Sequence, residues 1–392
     1  MPVIVPVILL ALAFVTTPLF VRFLGRNAGW PLSALYVAAA VFEAPAAGAV
    51  AAGWAVDWLP ALGIRLAFTA DGLGLVFSFI ALLIGAVVFV YSTRYLAVGR
   101  NYAFYQVMTA FTLSMQALVL ADDMVLLFIC WELTSLASFL LIASAGNAGE
   151  GASMRTLLIT FVGGVLLLLA IAAIWLRTGT TSLSGAFAHH EVWVSDPGFT
   201  TLIAVLVALA GFTKAAQFPF HVWLPDAMAA ITPVSAYLHA AAVVKAGIFL
   251  LLRFSPVLHA NAVWNGLLVT VGLITTCVGG YFALEQTDAK KLMAYSTVSQ
   301  LGLLTASIGL GTEAGIAAAV LHTIAHALFK SGLFMMVGVV DHATETRDLR
   351  RFPPRLYRRM PFSFAVMALG CASMAGIPPM LGFVSKEAIL AS

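Results

Sequence analysis

Apolar residues run along this chain in long blocks, each of bilayer-spanning length and separated from the next by a short polar turn. Twelve such blocks stand out, roughly 3–24, 31–53, 71–96, 102–121, 124–145, 154–177, 200–228, 232–254, 262–284, 291–310, 313–340 and 361–392. A helix needs about 20 apolar residues to cross the ~30 Å hydrocarbon layer. None of the blocks alternates with period two, and each far exceeds the roughly ten residues of a barrel strand. The pattern predicts an all-α polytopic membrane protein with about twelve transmembrane helices. The first block lacks a basic leader and is long, so it reads as a retained span and not a cleaved signal.

Composition agrees, with hydrophobic residues at 62% and charged residues at 9%. That excludes a soluble domain. The loops after odd-numbered spans hold thirteen Lys and Arg, Lys290 and Lys291 among them, and those after even-numbered spans hold three. Basic loops stay in the cytoplasm, which predicts an N-terminus on the outside of a prokaryotic cell membrane. Topology thus accounts for the net charge of +3, and no nucleic-acid partner is expected. Cys130, Cys277 and Cys371 have neither metal-ligand nor disulfide spacing and read as small buried hydrophobes. Loop 178–199 contains His189, His190 and Glu191, which read as a solvated stretch. The arginine-rich segment from Arg347 to Met360 reads as a membrane-surface stretch in which Pro353 and Pro354 prevent one continuous helix.

Four of the twenty basic residues remain: Lys214, Lys245, Lys330 and Lys386. Each lies inside an apolar span or at a helix break. A lysine at the bilayer centre costs about 3 kcal/mol on insertion scales, so four are hard to explain as packing alone. Lys214 opens the segment FTKAAQFPFHVWLPDA (Phe212 to Ala227), where Pro219 and Pro225 remove backbone donors and break the helix. A broken membrane helix carrying an ionisable residue is a recurring device for moving ions. The spacing repeats: Pro219 precedes Asp226 by seven residues, and Pro379 precedes Lys386 by seven. KAGIFL at Lys245 likewise echoes KSGLFM at Lys330, with a glycine that would let another backbone come close. These echoes suggest two related halves.

Glu132 has apolar residues on both sides, and a lone buried carboxylate is costly unless protonated or paired. Lys214 is its natural partner. Such a pair works as a switch, closed while both groups are charged and opened by an arriving proton; the alternative is a static ion pair that fixes packing. His322, His326 and Lys330 recur every fourth residue and drift only about 40° per step, forming a polar stripe about 12 Å long on one helix face. Histidine suits a proton relay; hydrogen-bonded core histidines are the alternative. His239 and Lys245 lie six residues apart and share a face only if their helix bulges, for which Thr232, Pro233 and Ser235 at its start give grounds. Glu43 has no visible partner. Asp71, Asp122 and Asp123 read as helix-start acids.

DGLGLVFSF from Asp71, WELTSLASFLLI from Trp131, FTKAAQFPFHVWLPDAM from Phe212, TPVSAYLHAAAVVKAGIFLL from Thr232, HTIAHALFKSGLF from His322 and GIPPMLGFVSKE from Gly376 together resemble the proton-pumping subunits related to complex I. WELTSLASFLLI, in particular, is similar to the A subunits of Mrp-type multisubunit Na+/H+ antiporters. The resemblance implies inverted repeats with helices broken at mid-membrane, and domains at 1–100 (N-terminal helices), 101–255 (first repeat) and 256–392 (second repeat, incomplete). It implies proton transfer through a glutamate–lysine pair and a central lysine/histidine axis, roles that fall on Glu132, Lys214, Lys245, His322, His326, Lys330 and Lys386. Ile231 departs from the family's usual proline before TPVSA. A chain ending at Ser392 is expected to be an N-terminal portion that does not pump alone.

Three functions compete. A component of an antiporter would pass protons along the polar axis, coupled to Na+ or another monovalent cation, with other subunits and the lipid bilayer as partners. A proton-pumping arm of a complex I-like oxidoreductase or membrane-bound hydrogenase would keep its redox centres in partner subunits. No dinucleotide fingerprint and no iron–sulfur cysteine set is present, and no cofactor is expected. A non-transporting scaffold would use its lysines only to hold helices together.

Overall fold

The computed structural model describes residues 3–48 and 52–392. The helices are α1 (Ile4–Leu24), α2 (Gly29–Glu43), α3 (Gly72–Tyr95), α4 (Tyr102–Leu120), α5 (Met124–Ala143), α6 (Asn147–Thr178), α7 (Leu183–Ala188), α8 (His190–Ser195), α9 (Pro197–Lys214), α10 (Trp223–Asp226), α11 (Thr232–Leu238), α12 (Val243–Leu258), α13 (Ala262–Glu285), α14 (Ala289–Gly309), α15 (Glu313–Thr344), α16 (Leu356–Arg359), α17 (Pro361–Ala375) and α18 (Leu381–Ala391). The protein is an all-α polytopic membrane protein apart from one hairpin. Nine helical stretches among the described residues are long and apolar enough to cross a bilayer, α1 and α2 counting as one and α11 and α12 as another. The other two expected spans fall short of that measure for visible reasons. Helix α14 carries Lys290, Lys291 and many hydroxyls, and the twelfth block is split into α17 and α18.

Capping sets the helix starts. Asp71 accepts from the Gly74 amide at 2.7 Å and Asp123 from those of Val125 and Leu126 at 2.9 and 3.1 Å. Both acids start helices, as the sequence indicated. Asp122 does not cap; it takes hydrogen bonds from Ser182 and Ser184.

Two stretches differ from expectation. The second span ends at Glu43, ten residues early, and β1 (Ala52–Leu59) pairs antiparallel with β2 (Ile64–Ala70). Trp54 stacks on Phe68 at 6.1 Å, and Asp57 pairs with Arg65 at 3.0 Å. The alternation Ile64-Arg65-Leu66-Ala67-Phe68-Thr69 was the overlooked strand signal. The loop at 178–199 folds into the short helices α7 and α8, with His189, His190 and Glu191 exposed. Cys130 is buried as expected, whereas Cys277 and Cys371 lie on the outer surface of the bundle. The segment after Arg347 forms no continuous helix: a single turn at Leu349–Arg351 is followed by α16.

Helices α11 and α12 are the hub. Every residue from Thr232 to Leu252 is buried, the polar Thr232, Ser235, His239 and Lys245 included. Helices α3, α4, α5, α9, α14 and α15 pack around this hub.

Candidate functional site

Three helix breaks place the ionisable residues. Helix α9 ends at Lys214, and short turns carry the chain to α11. The chain unwinds between α11 and α12 at residues 239–242, so His239 and Lys245 are joined by irregular backbone and not by a bulge within one helix. The third break separates α17 from α18. The peptide bonds Phe218–Pro219 and Pro378–Pro379 are both cis.

Lys214 is fully buried. Its ammonium donates to the Trp131 carbonyl and to Thr134 Oγ1, each at 2.6 Å, and lies 4.1 Å from the centre of the Trp131 ring. The C-terminal end of α9 adds the favourable pole of its dipole. The expected Glu132–Lys214 ion pair is not formed: no such pair occurs among the described residues. Trp131 and Thr134 claim the ammonium, while Glu132 turns toward α6. There it lies over Gly164, and its Oε1 is buried without a hydrogen-bond partner. A Cβ on Gly164 would fall on that carboxylate oxygen and 2.7 Å from Cδ. A Cβ on the neighbouring Gly163 would fall on Thr213, the residue before Lys214.

Gly247 fulfils the close approach expected of the KAGIFL motif. A Cβ there would lie 2.5 Å from the Ala215 amide nitrogen and 2.7 Å from the Gly211 carbonyl oxygen. The break after Lys214 therefore rests directly on the helix that carries Lys245. Gly332, its counterpart, meets nothing within 4 Å.

Lys245, His239 and His326 are fully buried. The Lys245 ammonium and all four of the histidines' ring nitrogens lack a hydrogen-bond partner among the described residues. His322, His326 and Lys330 lie along α15, all buried. His322 joins three helices: Nε2 bonds Gln300 Oε1 of α14, and Nδ1 bonds Ser385 Oγ of α18, both at 2.9 Å. Because Ser385 Oγ can instead donate to the Gly382 carbonyl at 3.1 Å, hydrogen-bond partners exist here for a neutral and for a protonated imidazole. Lys330 donates to Ser296 Oγ and to the Met293 carbonyl at 3.2 Å. The half-buried Lys386 donates to the Met374 carbonyl at 2.6 Å, in the last turn of α17, satisfying an acceptor that a helix end leaves open.

One lysine was misplaced by the sequence. Lys290 is buried in the first turn of α14, where its ammonium meets the Ala230 carbonyl at 2.7 Å and the Met228 carbonyl at 3.5 Å. It supports the backbone between α10 and α11. In front of it lies a cleft of about 510 Å³, whose lining includes Arg155, Asp226, Asp288, Lys291 and Arg347. Arg155 pairs with Asp226, and Arg347 with Asp288 at 3.6 Å.

A transmembrane family described as NADH:quinone oxidoreductase/Mrp antiporter matches residues 121–392. The chain is 42% identical over 350 residues to the A subunit of a Na(+)/H(+) antiporter from Alkalihalophilus pseudofirmus, covering 85% of this chain and 43% of that protein. It is 43% identical over 343 residues to a Rhizobium meliloti protein named as the probable A/B subunit of a K(+)/H(+) antiporter, covering 86% and 34%. A chain in the solved Mrp complex of Dietzia sp. superposes with a TM-score of 0.97 at 53% identity, over 100% of this chain and 43% of that one. A chain of an archaeal membrane-bound sulfane sulfur reductase shares the fold alone, with a TM-score of 0.86 at 23% identity. The chain spans less than half the length of these curated relatives.

Proposed function

Because this chain belongs to the NADH:quinone oxidoreductase/Mrp antiporter transmembrane family, we propose that it is the proton-translocating portion of one subunit in a multisubunit cation/proton antiporter. The observation that carries the reading is the set of basic groups inside the bundle: Lys214, Lys245 and the half-buried Lys386 beside helix breaks, and the buried His322, His326 and Lys330 along the unbroken α15. A buried charge without an ion-pair partner is too costly to persist as packing alone. Protons pass along this row, with Glu132 and Lys214 forming the switch at one end. Lys290 belongs to the same device, holding the break between α10 and α11 in shape behind the cleft. The two halves, 101–255 and 256–392, act as inverted repeats around the hub, and the N-terminus faces outward in a prokaryotic cell membrane. Na+ is the proposed exchanged cation; the names of the relatives divide between sodium and potassium.

The switch operates by movement. In the structure Lys214 rests on Trp131 and Thr134 while the carboxyl of Glu132 lies over Gly164. A rotation of Glu132 toward Lys214 closes the pair. One charge crossing the membrane potential is worth about 2.3 kcal/mol per 100 mV, enough to bias such a two-state pair. Glu132→Ala or Lys214→Ala abolishes antiport in membrane vesicles while the complex still assembles; retained exchange in both variants overturns the reading. The family description also covers quinone oxidoreductases, and a role in such a complex would bring flavin or iron–sulfur absorbance through purification.

A further inference from the structure

Glu43 belongs to none of these groups, and its surroundings are unusual. It is the last residue of α2, its side chain is fully buried, and it makes no ion pair among the described residues. Two neutral side chains hold it. Ser78 of α3 donates to Oε2, and Gln116 Nε2 of α4 reaches Oε1 at 3.2 Å and Oε2 at 3.4 Å. Gln116 Nε2 also donates to Ser78 Oγ at 2.5 Å. Both Ser78 and Gln116 are themselves fully buried.

Charged groups nearby do not compensate it. On the elements packed against α2, helix α1 has Arg22 in its last turn, and the turn at Gly25–Ala28 has Arg26. These two sit at the opposite end of α2, on the order of 20 Å away along its axis. Helix α3 has Arg94 in its last turn, with Tyr91 and Tyr95, and begins at Asp71, which is bound to Arg253. Helix α4 has tyrosines but no charged residue, and Ala44 to Ala51 contain no ionisable side chain. On α2 itself Tyr36 is the other titratable group.

The arrangement offers the Glu43 carboxyl hydrogen-bond partners in both of its protonation states. With Glu43 ionised, Ser78 and the Gln116 amide nitrogen both donate to it, as in the structure. Gln116 Oε1 is then buried with no partner. With Glu43 protonated, the new O–H needs an acceptor, and a half-turn of the Gln116 amide presents that oxygen. We propose that Glu43 is a reversible proton-binding site, separate from the lysine/histidine row, whose state is read by the Gln116 amide. Its ligand is a proton taken from hydronium: one O–H bond forms on the carboxyl, one negative charge disappears, and Ser78 and Gln116 exchange only hydrogen bonds. The site also touches the hub. One turn before Gln116 on α4, Thr112 Oγ1 bonds Tyr237 OH at 2.8 Å, two residues ahead of His239. Tyr237 OH donates to the Ala81 carbonyl at 3.1 Å, one turn beyond Ser78 on α3.

The test is infrared difference spectroscopy of the purified full-length complex between mildly acidic and mildly alkaline buffer. It reads protonation directly and does not depend on transport, so it stands whatever becomes of the antiport reading. The wild type is expected to show a protonated-carboxyl C=O band at acid pH together with a shift in a side-chain amide band. Glu43→Gln removes the carboxyl band, and Gln116→Leu removes the amide component while shifting the carboxyl band in frequency. A carboxyl band that survives Glu43→Gln unchanged, or is unmoved in Gln116→Leu, overturns the proposal. Should Glu43→Gln fail to assemble, the Gln116→Leu spectrum decides alone.

Discussion

Gly164→Ala tests how tightly the Glu132 carboxyl is positioned. On an isolated helix this change is favourable by roughly 1 kcal/mol, because alanine is the better helix former. Here the added methyl would fall on Glu132 Oε1 and stand 2.7 Å from Cδ, where ordinary contact begins at 3.4 Å, so the carboxyl must swing aside or α6 must shift by well over the difference between those two distances. Forcing an extra methyl into a packed site costs about 1–3 kcal/mol, so the net stability change is small while the geometry change is not. Moving a reacting group by about 1 Å can cost on the order of a hundredfold in rate. We expect Gly164→Ala to assemble normally, to lose ten- to hundredfold in antiport rate in vesicles by that same reckoning, and to show an altered pH profile. Shortening the acid should relieve the overlap, so Gly164→Ala combined with Glu132→Asp should recover activity relative to Gly164→Ala alone. Wild-type rate and pH profile in Gly164→Ala would refute the positioning argument, whereas activity in Glu132→Ala would refute the role of the carboxyl itself.

Gly247→Ala would put a methyl against the Ala215 amide and the Gly211 carbonyl; it should destabilise the complex by about 1–3 kcal/mol in thermal melts, while Gly332→Ala, with open space around it, should not. Lys290→Met leaves the buried Ala230 carbonyl without its donor and should cost about 1–3 kcal/mol, seen as faster proteolysis between α10 and α11. The Asp348 carboxyl is held down at about 2 by hydrogen bonds from Arg350. A depressed carboxylate contributes stability above its ordinary range and loses it only as pH falls toward 2, so trypsin cleavage at Arg350 and Arg351 should be flat in pH near neutrality and rise in Asp348→Asn.

Much of this organisation was legible because membrane burial makes polar residues conspicuous. Lys214, Lys245 and Lys330 stood out since nothing apolar about their spans excuses an ammonium, and Pro219 and Pro379 announced the breaks. The four-residue spacing of His322, His326 and Lys330 survives intact because α15 is unbroken. Lys290 was hidden by its position: two lysines at a helix start look like a loop, and only the fold turns one inward onto Ala230. The Glu132–Lys214 contact failed for a related reason. Spacing cannot tell which face of α5 meets α9, and Trp131 and Thr134 occupy that face. Gly163 and Gly164 were invisible as spacers because glycine is common in membrane helices.

Helix α6 carries Gly164 near its middle and Arg155 about 14 Å away along the same axis. Besides its packing along α5 and α9, two of its contacts differ in kind. At Gly164 it bears on the Glu132 carboxyl through hard van der Waals contact, while at Arg155 it is held to Asp226 by an ion pair whose side chains are 55% and 34% exposed. Exposed pairs are worth less than about 1 kcal/mol and weaken with salt. The contact at Gly164 is therefore indifferent to ionic strength, whereas the latch beside the cleft loosens as salt rises.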